Sequence, residues 1–559
     1  GIGIDQFKGG AENSVITVNE DTIVNGTEDY GPDITVPDVG DNSLFNEKNE
    51  NMTVTAGNVA GNVKLTFNRV NMISPHIVRA GGTNGADIVI DNTNPNTPGA
   101  DGRYTGISVS AFIEGNSLTI NSDGRGIYTG VGGNYSPVKI NGNDYWDVHI
   151  KVNDAFHLDS YSYAVFNEGV NQGNVDITAG NVDIENQINN GVYNAGQDTD
   201  HGNDMTITAT NGDIVIISHG ADKSDRASVK NTTSGTTALT ASGIIDIYGA
   251  ANGIYATKGS TTLNSIAGNS IYAGDIVKNV AGTIKYGTKS AIHAFGGGEG
   301  ENVTNVNLTT GKENYLLGAV YATGRAEKVT GPEADLNKYA TKVILDGATN
   351  KVYSYTEIAG AGDINTTEDV IDGKENKFKD KRFISALYAE DGANIELTGE
   401  NTVGTWAKST DANTLERTVW AYSSDDTIGS SISFDGAVQI GTDSYNSSPN
   451  SADVAIAAGT ATDLTKDKVD GFNGKRSTVT VKYDNFSDGN RSSISGDILS
   501  AYAGKVDIYS ENSNAGIKID GNLFAGNNGI LDVNLGKGGQ LTGRVDDYGD
   551  AGVEGTTHG

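Results

Sequence analysis

Gly191-Val192-Tyr193-Asn194 is one of ten tetrapeptides in this chain that share the order small, aliphatic, aromatic, small. The other nine begin at Gly126, Ala164, Ser228, Gly253, Ser270, Ala291, Ala319, Ala386 and Thr418. The third residue is aromatic in eight of the ten copies, and Lys230 and His293 are the exceptions. Because the pattern persists while the spacing varies, we interpret the tetrapeptide as one segment of a structural repeat with loops of variable length.

Short alternating segments lie between the copies. Examples are Val175-Asp176-Ile177, Ile245-Asp246-Ile247 and Val506-Asp507-Ile508. Alternation with a period of two predicts β-strands that bury their aliphatic side chains on one face and expose polar ones on the other. No stretch combines helical periodicity with capping residues at both ends, so the sequence predicts almost no helix.

These features together predict an all-β fold, a right-handed parallel β-helix with loop insertions. The aliphatic second residue of each tetrapeptide would enter an internal ladder, because equivalent residues of successive coils lie above one another. The third residue, one step further along the strand, would face the other side. A tandem array of β-sandwich domains would instead require linkers and repeats of ~100 residues, which the sequence does not contain.

The pattern divides the chain into three parts. Residues 1–100 are predicted to form N-terminal capping or early coils with irregular loops, and residues 101–510 the main β-helix. More polar stretches predict insertions near 325–383, 406–417 and 440–475. Residues 511–559 are predicted to form the C-terminal coils.

Composition excludes several classes of function. The chain of 559 residues has no cysteine, which rules out disulfides, thiolate metal sites and a cysteine nucleophile. Its 71 acidic and 39 basic residues give a net charge of −32, which disfavours DNA binding unless a basic patch or a metal ion mediates it. No apolar run approaches the ~20 residues of a membrane helix, so we expect no membrane span.

The repeated small-Ile/Val-Tyr-Ala string, in a Cys-free acidic chain rich in Gly and Asn, resembles the passenger domains of monomeric type V autotransporters of Gram-negative bacteria. The segment Gly529–Asp546, with its Leu541-Thr542-Gly543 turn, is similar to the coils that precede the translocator barrel in that family. The resemblance covers roughly residues 100–559 and implies display on the bacterial cell surface at the outer membrane, or secretion. It most often implies adhesion. A minority of the family carry a protease or lipase domain, and the absence of a Gly-x-Ser-x-Gly elbow disfavours those branches.

The third residues of the tetrapeptides are the leading candidates for ligand binding: Tyr128, Phe166, Tyr193, Tyr255, Tyr272, Tyr321 and Tyr388. Tyrosine offers a flat ring and a hydroxyl, which suit sugars and protein interfaces. The expected partners are host or bacterial surface glycans or proteins, a matrix polymer, or a second copy of the chain. An internal aromatic ladder that only stabilises the coils is the other interpretation.

A second set of candidates is His149, Asp154, His157 and Asp159. Imidazole beside carboxylate can cleave a polymer by general acid–base catalysis, with or without a divalent metal. These residues are equally what the polar outer face of a strand would carry. They define the alternative function, a displayed or secreted hydrolase of polysaccharide or extracellular DNA.

Asp198, Asp200 and Asp204 form the third set. Carboxylates at alternate positions of a turn could hold calcium or magnesium, although a simple polar turn explains them as well. No cofactor is required by any motif. The leading hypothesis is therefore an adhesin for cell–cell, host-surface or biofilm-matrix attachment and not an enzyme, with the hydrolase as alternative.

Overall fold

A computed structural model describes the following residues of the chain: 2–3, 14–18, 22–25, 52–56, 63–68, 76–79, 86–93, 105–108, 111–129, 138–140, 143–145, 147–168, 173–195, 203–274, 289–296, 303–324, 341–354, 370–371, 374–375, 382–405, 414–424, 426–441, 454–460, 471–526 and 528–547. Every regular element in these residues is a β-strand. Among them, no helix is long and apolar enough to span a membrane. The chain divides into two compact units, Gly1–Asn269 and Ser270–Gly559.

Unit 1 is a parallel β-helix whose coils contribute strands to three sheets. The first sheet holds β2 (Ser14–Val18), β4 (Met52–Ala56), β6 (His76–Arg79), β9 (Ala111–Gly115), β14 (Val148–Val152), β17 (Val175–Ala179), β20 (Met205–Ala209), β23 (Thr236–Ala241) and β26 (Gly259–Ser265). The second holds β1 (Ile2–Gly3), β3 (Thr22–Asn25), β5 (Val63–Asn68), β7 (Ala86–Asn92), β10 (Ser117–Ser122), β15 (Ala155–Ser160), β18 (Asn181–Asn186), β21 (Ile214–Ser218) and β24 (Ile244–Gly249). The third holds β8 (Ile107–Ser108), β11 (Ile127–Tyr128), β16 (Val165–Asn167), β19 (Val192–Asn194), β22 (Ala227–Asn231) and β25 (Asn252–Ala256). All of these pairings are parallel, and a small antiparallel hairpin, β12 (Val138–Ile140) and β13 (Asn143–Tyr145), lies outside them.

Unit 2 repeats this architecture with longer strands. The first and second sheets run together in β29 (Thr304–Leu317), β31 (Lys342–Ser354), β36 (Asn394–Thr405) and β38 (Ser431–Ile440), and separate again into the pairs β40 (Ser477–Asp484) and β41 (Ser492–Ser495), β43 (Gly504–Tyr509) and β44 (Ile517–Asp520), and β46 (Ile530–Val533) and β47 (Gln540–Thr542). The third sheet holds β28 (Ser290–Phe295), β30 (Ala319–Thr323), β35 (Leu387–Glu390), β37 (Thr414–Ser423), β39 (Val454–Thr460), β42 (Asp497–Ser500), β45 (Leu523–Ala525) and β48 (Val545–Asp547). The remaining strands are β27 (Gly268–Ala273), the hairpin β32 (Val370–Ile371) and β33 (Lys374–Glu375), and β34 (Arg382–Ile384), which pairs with the start of β37.

The parallel β-helix predicted from the tetrapeptides is confirmed, and so is the place of their second residue. In unit 1 the inward column of the third sheet is Ile127, Val165, Val192, Val229 and Ile254, all with 0% exposure. Burying one such side chain stabilises the fold by roughly 1.5–3 kcal/mol. Each coil therefore depends on the coil next to it, since a single coil cannot enclose its own apolar face.

The fourth residue of the tetrapeptide also faces inward. Asn167, Asn194 and Asn231, the fourth residues of three successive copies, are buried strand residues. The Asn167 side-chain amide donates to Asn194 Oδ1 (3.2 Å), and that of Asn194 donates to the carbonyl of Asn203 (2.7 Å). The asparagines thus form a ladder that satisfies buried polar groups from coil to coil.

Unit 2 contains a second asparagine ladder, which lies outside the third sheet. Asn314 donates to Asn350 Oδ1 (2.8 Å), and Asn350 donates to Asn401 Oδ1 (2.9 Å). In the third sheet of unit 2, alanines such as Ala322, Ala389 and Ala421 occupy the fourth position instead.

Two stretches predicted as insertions contain coil strands. β31 lies inside 325–383 and pairs with β29 and β36, and β39 lies inside 440–475 and pairs with β37 and β42. The tetrapeptide pattern missed β39 because its Ala455-Ile456-Ala457-Ala458 has alanine at the aromatic position.

Candidate functional site

The outward side of the third sheet in unit 1 carries a continuous column of rings, which we call the aromatic column: Tyr128, Phe166, Tyr193, Lys230 and Tyr255. The ladder register places them directly above one another. Tyr128, Tyr193 and Tyr255 are partly exposed, and Phe166 and Lys230 are buried beside them. The prediction that the third residue faces away from the aliphatic ladder is correct here.

The rings of the aromatic column are stacked on one another. The centroids of Tyr128 and Phe166 are 5.4 Å apart, and those of Phe166 and Tyr193 are 5.0 Å apart with planes inclined by 8°. Tyr163, from the turn before β16, lies 4.6 Å from Phe166 and 6.1 Å from Tyr193. Because neighbouring rings cover each other's faces, the column presents mainly ring edges to solvent.

Lys230 continues the stack as a cation instead of interrupting it. Its ammonium lies 4.8 Å from the centroid of Tyr193 and 5.2 Å from that of Tyr255, and it forms an ion pair of 2.7 Å with Asp225. Only 5% of Lys230 is exposed. An ammonium between two electron-rich ring faces, neutralised by a carboxylate, replaces the missing ring.

Charged groups border the aromatic column. Arg125 lies 3.9 Å above the ring of Tyr128, whose hydroxyl donates to Glu168. Burial and this carboxylate raise the pKa of Tyr128 to about 12. Arg226 donates to the hydroxyl of Tyr163 (3.3 Å) and pairs with Asp222. The column is therefore a rigid apolar strip with balanced charges at its margins, unlike the strongly acidic chain as a whole.

The sequence identified the rings but not their partners. Arg125, Tyr163, Glu168 and Asp225 lie just outside the tetrapeptides, so no repeated pattern marks them. Lys230 was visible only as an exception to the pattern. A lysine at a position that aromatic residues fill in most other copies was the one sequence feature that could have indicated a cation within the stack.

The ring candidates of unit 2 are arranged differently. Tyr272 packs against Tyr315 of β29, with centroids 5.8 Å apart. Tyr321 stacks on His293 at 4.7 Å and is tilted against Tyr388 at 5.1 Å. Tyr388 has 0% exposure, so it offers no surface to a ligand in this structure.

The structure does not bring the proposed hydrolase residues together. His149 lies on β14 in the first sheet, whereas His157 and Asp159 lie on β15 in the second, and Asp154 is exposed at the corner between them. His149 pairs with Asp176 (3.2 Å) and His157 with Asp183 (3.1 Å), each the register partner on the adjacent coil. These histidines therefore connect coils, and they do not converge on one substrate atom.

His157 and Asp159 nevertheless share an outward face with Asp183 and Glu185, and Glu185 pairs with His219 at 2.8 Å. The hydrogen bond to Asp183 raises the pKa of His157 despite partial burial. Partial burial, followed by the charge of Glu185, raises the pKa of Asp159. The arrangement is a network of ion pairs between coils on an open strand face.

The metal candidates fall largely outside the described residues, where Asp198 and Asp200 lie. Asp204 is exposed and accepts a hydrogen bond from the Thr236 backbone N–H at 2.7 Å, which ties one coil to the next. Within the described residues, no group of three or more His, Asp or Glu side chains is placed to hold a metal ion.

Comparison with known proteins adds no assignment. No protein-family model, curated protein or solved structure matches this chain. Only the side chains of the site itself therefore indicate a function.

Proposed function

We propose that this chain is a surface adhesin of the autotransporter-passenger type, and that the aromatic column of unit 1 is its main contact surface. It would attach the bacterial cell to host surfaces, to other cells or to the biofilm matrix. The proposal is supported by one observation above all: partly exposed rings and a sandwiched lysine are stacked without a break over successive coils.

A preformed stack suits binding because its side chains are already immobilised. Tyrosine rings held by stacking lose little additional rotamer freedom when a partner arrives, so more of the contact energy appears as affinity. Each contact is modest, but a surface that displays many copies of the chain binds by avidity.

The stacking of the rings also restricts how a partner can contact the aromatic column. A sugar ring that packs on an aromatic face needs that face free, whereas Phe166 and Tyr193 cover each other. The groups that face solvent are the ring edges, which carry partial positive charge. These groups fit carbonyl and hydroxyl oxygens of a protein surface better than the flat face of a sugar.

The polymer hydrolase has less support. Its four residues lie on two sheets and at the corner between them, and the two histidines bind carboxylates of the adjacent coil. A hydrolase would need an acid and a base on opposite sides of one scissile bond. An open strand face with paired side chains does not provide that geometry.

The test uses beads that carry the purified full chain. Beads are incubated with collagen, mucin, a neutral polysaccharide, genomic DNA and the soluble chain itself, and retained material and product size are measured in the same tubes. We expect retention of at least one protein or glycan with its size unchanged. Shortened polymer, or no retention of any probe, would contradict the proposal.

A further inference from the structure

Five Asn-Gly sequences lie within the described residues, and the structure gives them different surroundings. Asparagine followed by glycine is prone to deamidation, because glycine has no side chain to hinder the attack of its backbone nitrogen on the asparagine amide. The attack also requires an asparagine side chain and a glycine N–H that hydrogen bonds do not hold. The five pairs begin at Asn190, Asn211, Asn252, Asn473 and Asn528.

Two of these pairs are buried and held by hydrogen bonds. Asn190 has 0% exposure, and its Oδ1 accepts from the Ala227 N–H at 2.8 Å. The Gly191 N–H, which would have to attack, donates to the Ala227 carbonyl at 3.2 Å. Asn252 is buried as well, and its side-chain amide donates to the Arg226 carbonyl at 2.9 Å. Both pairs can react only when the surrounding coil opens.

Two further pairs lie in turns whose backbone is fixed. Asn211 is exposed, but its N–H donates to the Gly180 carbonyl at 3.1 Å, and the Gly212 carbonyl accepts a hydrogen bond of 2.8 Å from the next coil. Asn528 has φ of 57°, and the Gly529 N–H is already a donor within its own turn at 2.9 Å. Because the attack requires the asparagine backbone to rotate, these bonds slow the reaction.

The pair Asn473-Gly474 is exposed and lacks such bonds. It lies in the segment 471–476, which precedes β40, and the Asn473 side chain is exposed. Within the part of the chain that the structure describes, neither this side chain nor the Gly474 N–H forms a hydrogen bond. The next residue, Lys475, donates its backbone N–H to the Asp426 carbonyl at 2.7 Å.

The residues that flank this pair are anchored to the coils. Phe472 packs edge-on against Tyr502, with ring centroids 5.5 Å apart. Arg476 lies 4.5 Å from the ring centroid of Phe472 and donates to the Gly504 carbonyl at 3.2 Å. The exposed pair is therefore a short link between two anchored side chains, and its own peptide groups are not held.

From this contrast we propose that Asn473 is a site of spontaneous deamidation. The Gly474 nitrogen attacks Asn473 Cγ and forms the C–N bond of a succinimide, while the side-chain amino group takes up the proton of that nitrogen and leaves as ammonia. Water then opens the ring at either carbonyl to give aspartate or isoaspartate, so water is the only co-reactant. The product adds a negative charge beside Lys475, and isoaspartate lengthens the backbone by one carbon. The modification is independent of the adhesive role proposed for the aromatic column.

Peptide mapping by mass spectrometry tests the site on the purified full chain. The folded chain is aged at mildly alkaline pH and digested in acid, and the conversion of amide to acid is followed separately at each of the five asparagines. We expect Asn473 to react faster than Asn211, and at least about tenfold faster than Asn190 and Asn252. A parallel sample unfolded in guanidinium chloride is the control. There the five asparagines, each followed by glycine, should react at similar rates.

Equal rates at Asn473 and Asn190 in the folded chain would overturn the proposal. The same ranking of the five sites in the unfolded chain would also contradict it, because the sequence and not the structure would then set the rates. Asn473→Gln supplies the assignment, since glutamine forms the corresponding ring much more slowly. The acid product in the peptide that contains residue 473 should disappear in this variant, and its persistence would contradict the site.

Discussion

At the scale of single residues, the buried asparagines have the largest predicted effect. Asn194 has 0% exposure, accepts from Asn167 and donates to the carbonyls of Asn203 and Thr236. Asn194→Ala leaves these groups buried without a partner, and we expect a loss of about 3 kcal/mol in the free energy of unfolding. Urea denaturation measures it. Asn264→Ala, at an exposed strand position, should change stability by less than about 0.5 kcal/mol. Equal effects of the two substitutions would contradict the ladder.

The pair of His157 and Asp183 predicts a pH dependence. The pKa of His157 is raised in the folded state above its usual 6.5, so the folded chain binds the proton more tightly than the unfolded chain. The stabilisation is fully present below about pH 6.5 and is lost as pH rises through the folded pKa. Asp183→Asn should therefore destabilise the chain more at about pH 5.5 than at about pH 9. Thermal unfolding at both values checks this, and a larger effect at the higher pH would refute the assignment.

At the scale of the elements, the corner before β19 requires a residue without a side chain. A Cβ on Gly191 would lie 2.6 Å from the carbonyl oxygen of Ser228 and 2.8 Å from Ile216 Cγ2. We expect Gly191→Ala to cost roughly 1–3 kcal/mol, because backbone and core must move apart. Gly311, where nothing lies within 4 Å of the added Cβ, is the control, and Gly311→Ala should cost nothing. Calorimetric unfolding of the two variants gives the comparison.

The elements also show what the sequence could predict and what it could not. Alternation in Val175-Asp176-Ile177 and Val506-Asp507-Ile508 correctly indicated strands, because one face of each lies in the core. The tetrapeptides correctly predicted the inward column of the third sheet. Ser270-Ile271-Tyr272-Ala273 shares the pattern, however, and lies on β27, outside the third sheet. A local pattern specifies a strand and its faces, whereas the identity of its sheet depends on loop lengths that the pattern does not contain.

The candidate site was predictable to a smaller extent. The alternation of strand faces was enough to predict that the rings face outward. Their stacking could not be predicted, because it depends on the register between coils, which cannot be read from the sequence. His149 and His157 are only eight residues apart, but the corner at 153–154 places them on different sheets. Their closeness in the sequence therefore led to the wrong prediction that they share one catalytic site.

At the scale of the whole molecule, composition and charge limit the partners. A chain with a net charge of −32 repels polyanions, so contact with a surface depends on local features such as the aromatic column, where cations and carboxylates balance. The repeated coils present equivalent side chains along one face, which suits many weak contacts more than one deep pocket. Attachment is the function that this organisation supports best.

The most direct measurement compares attachment by two tyrosine variants of equal chemistry and different location. Tyr255→Ser removes a ring from the aromatic column, and Tyr248→Ser removes a partly exposed ring from the outward side of the second sheet. Both are tested as bead-bound full chains with matched unfolding temperatures, against the probe that the wild type retains. We predict that Tyr255→Ser lowers retention by about tenfold, equivalent to ~1.4 kcal/mol, while Tyr248→Ser leaves it unchanged. Equal retention by both variants would contradict the claim that the aromatic column is the adhesive surface.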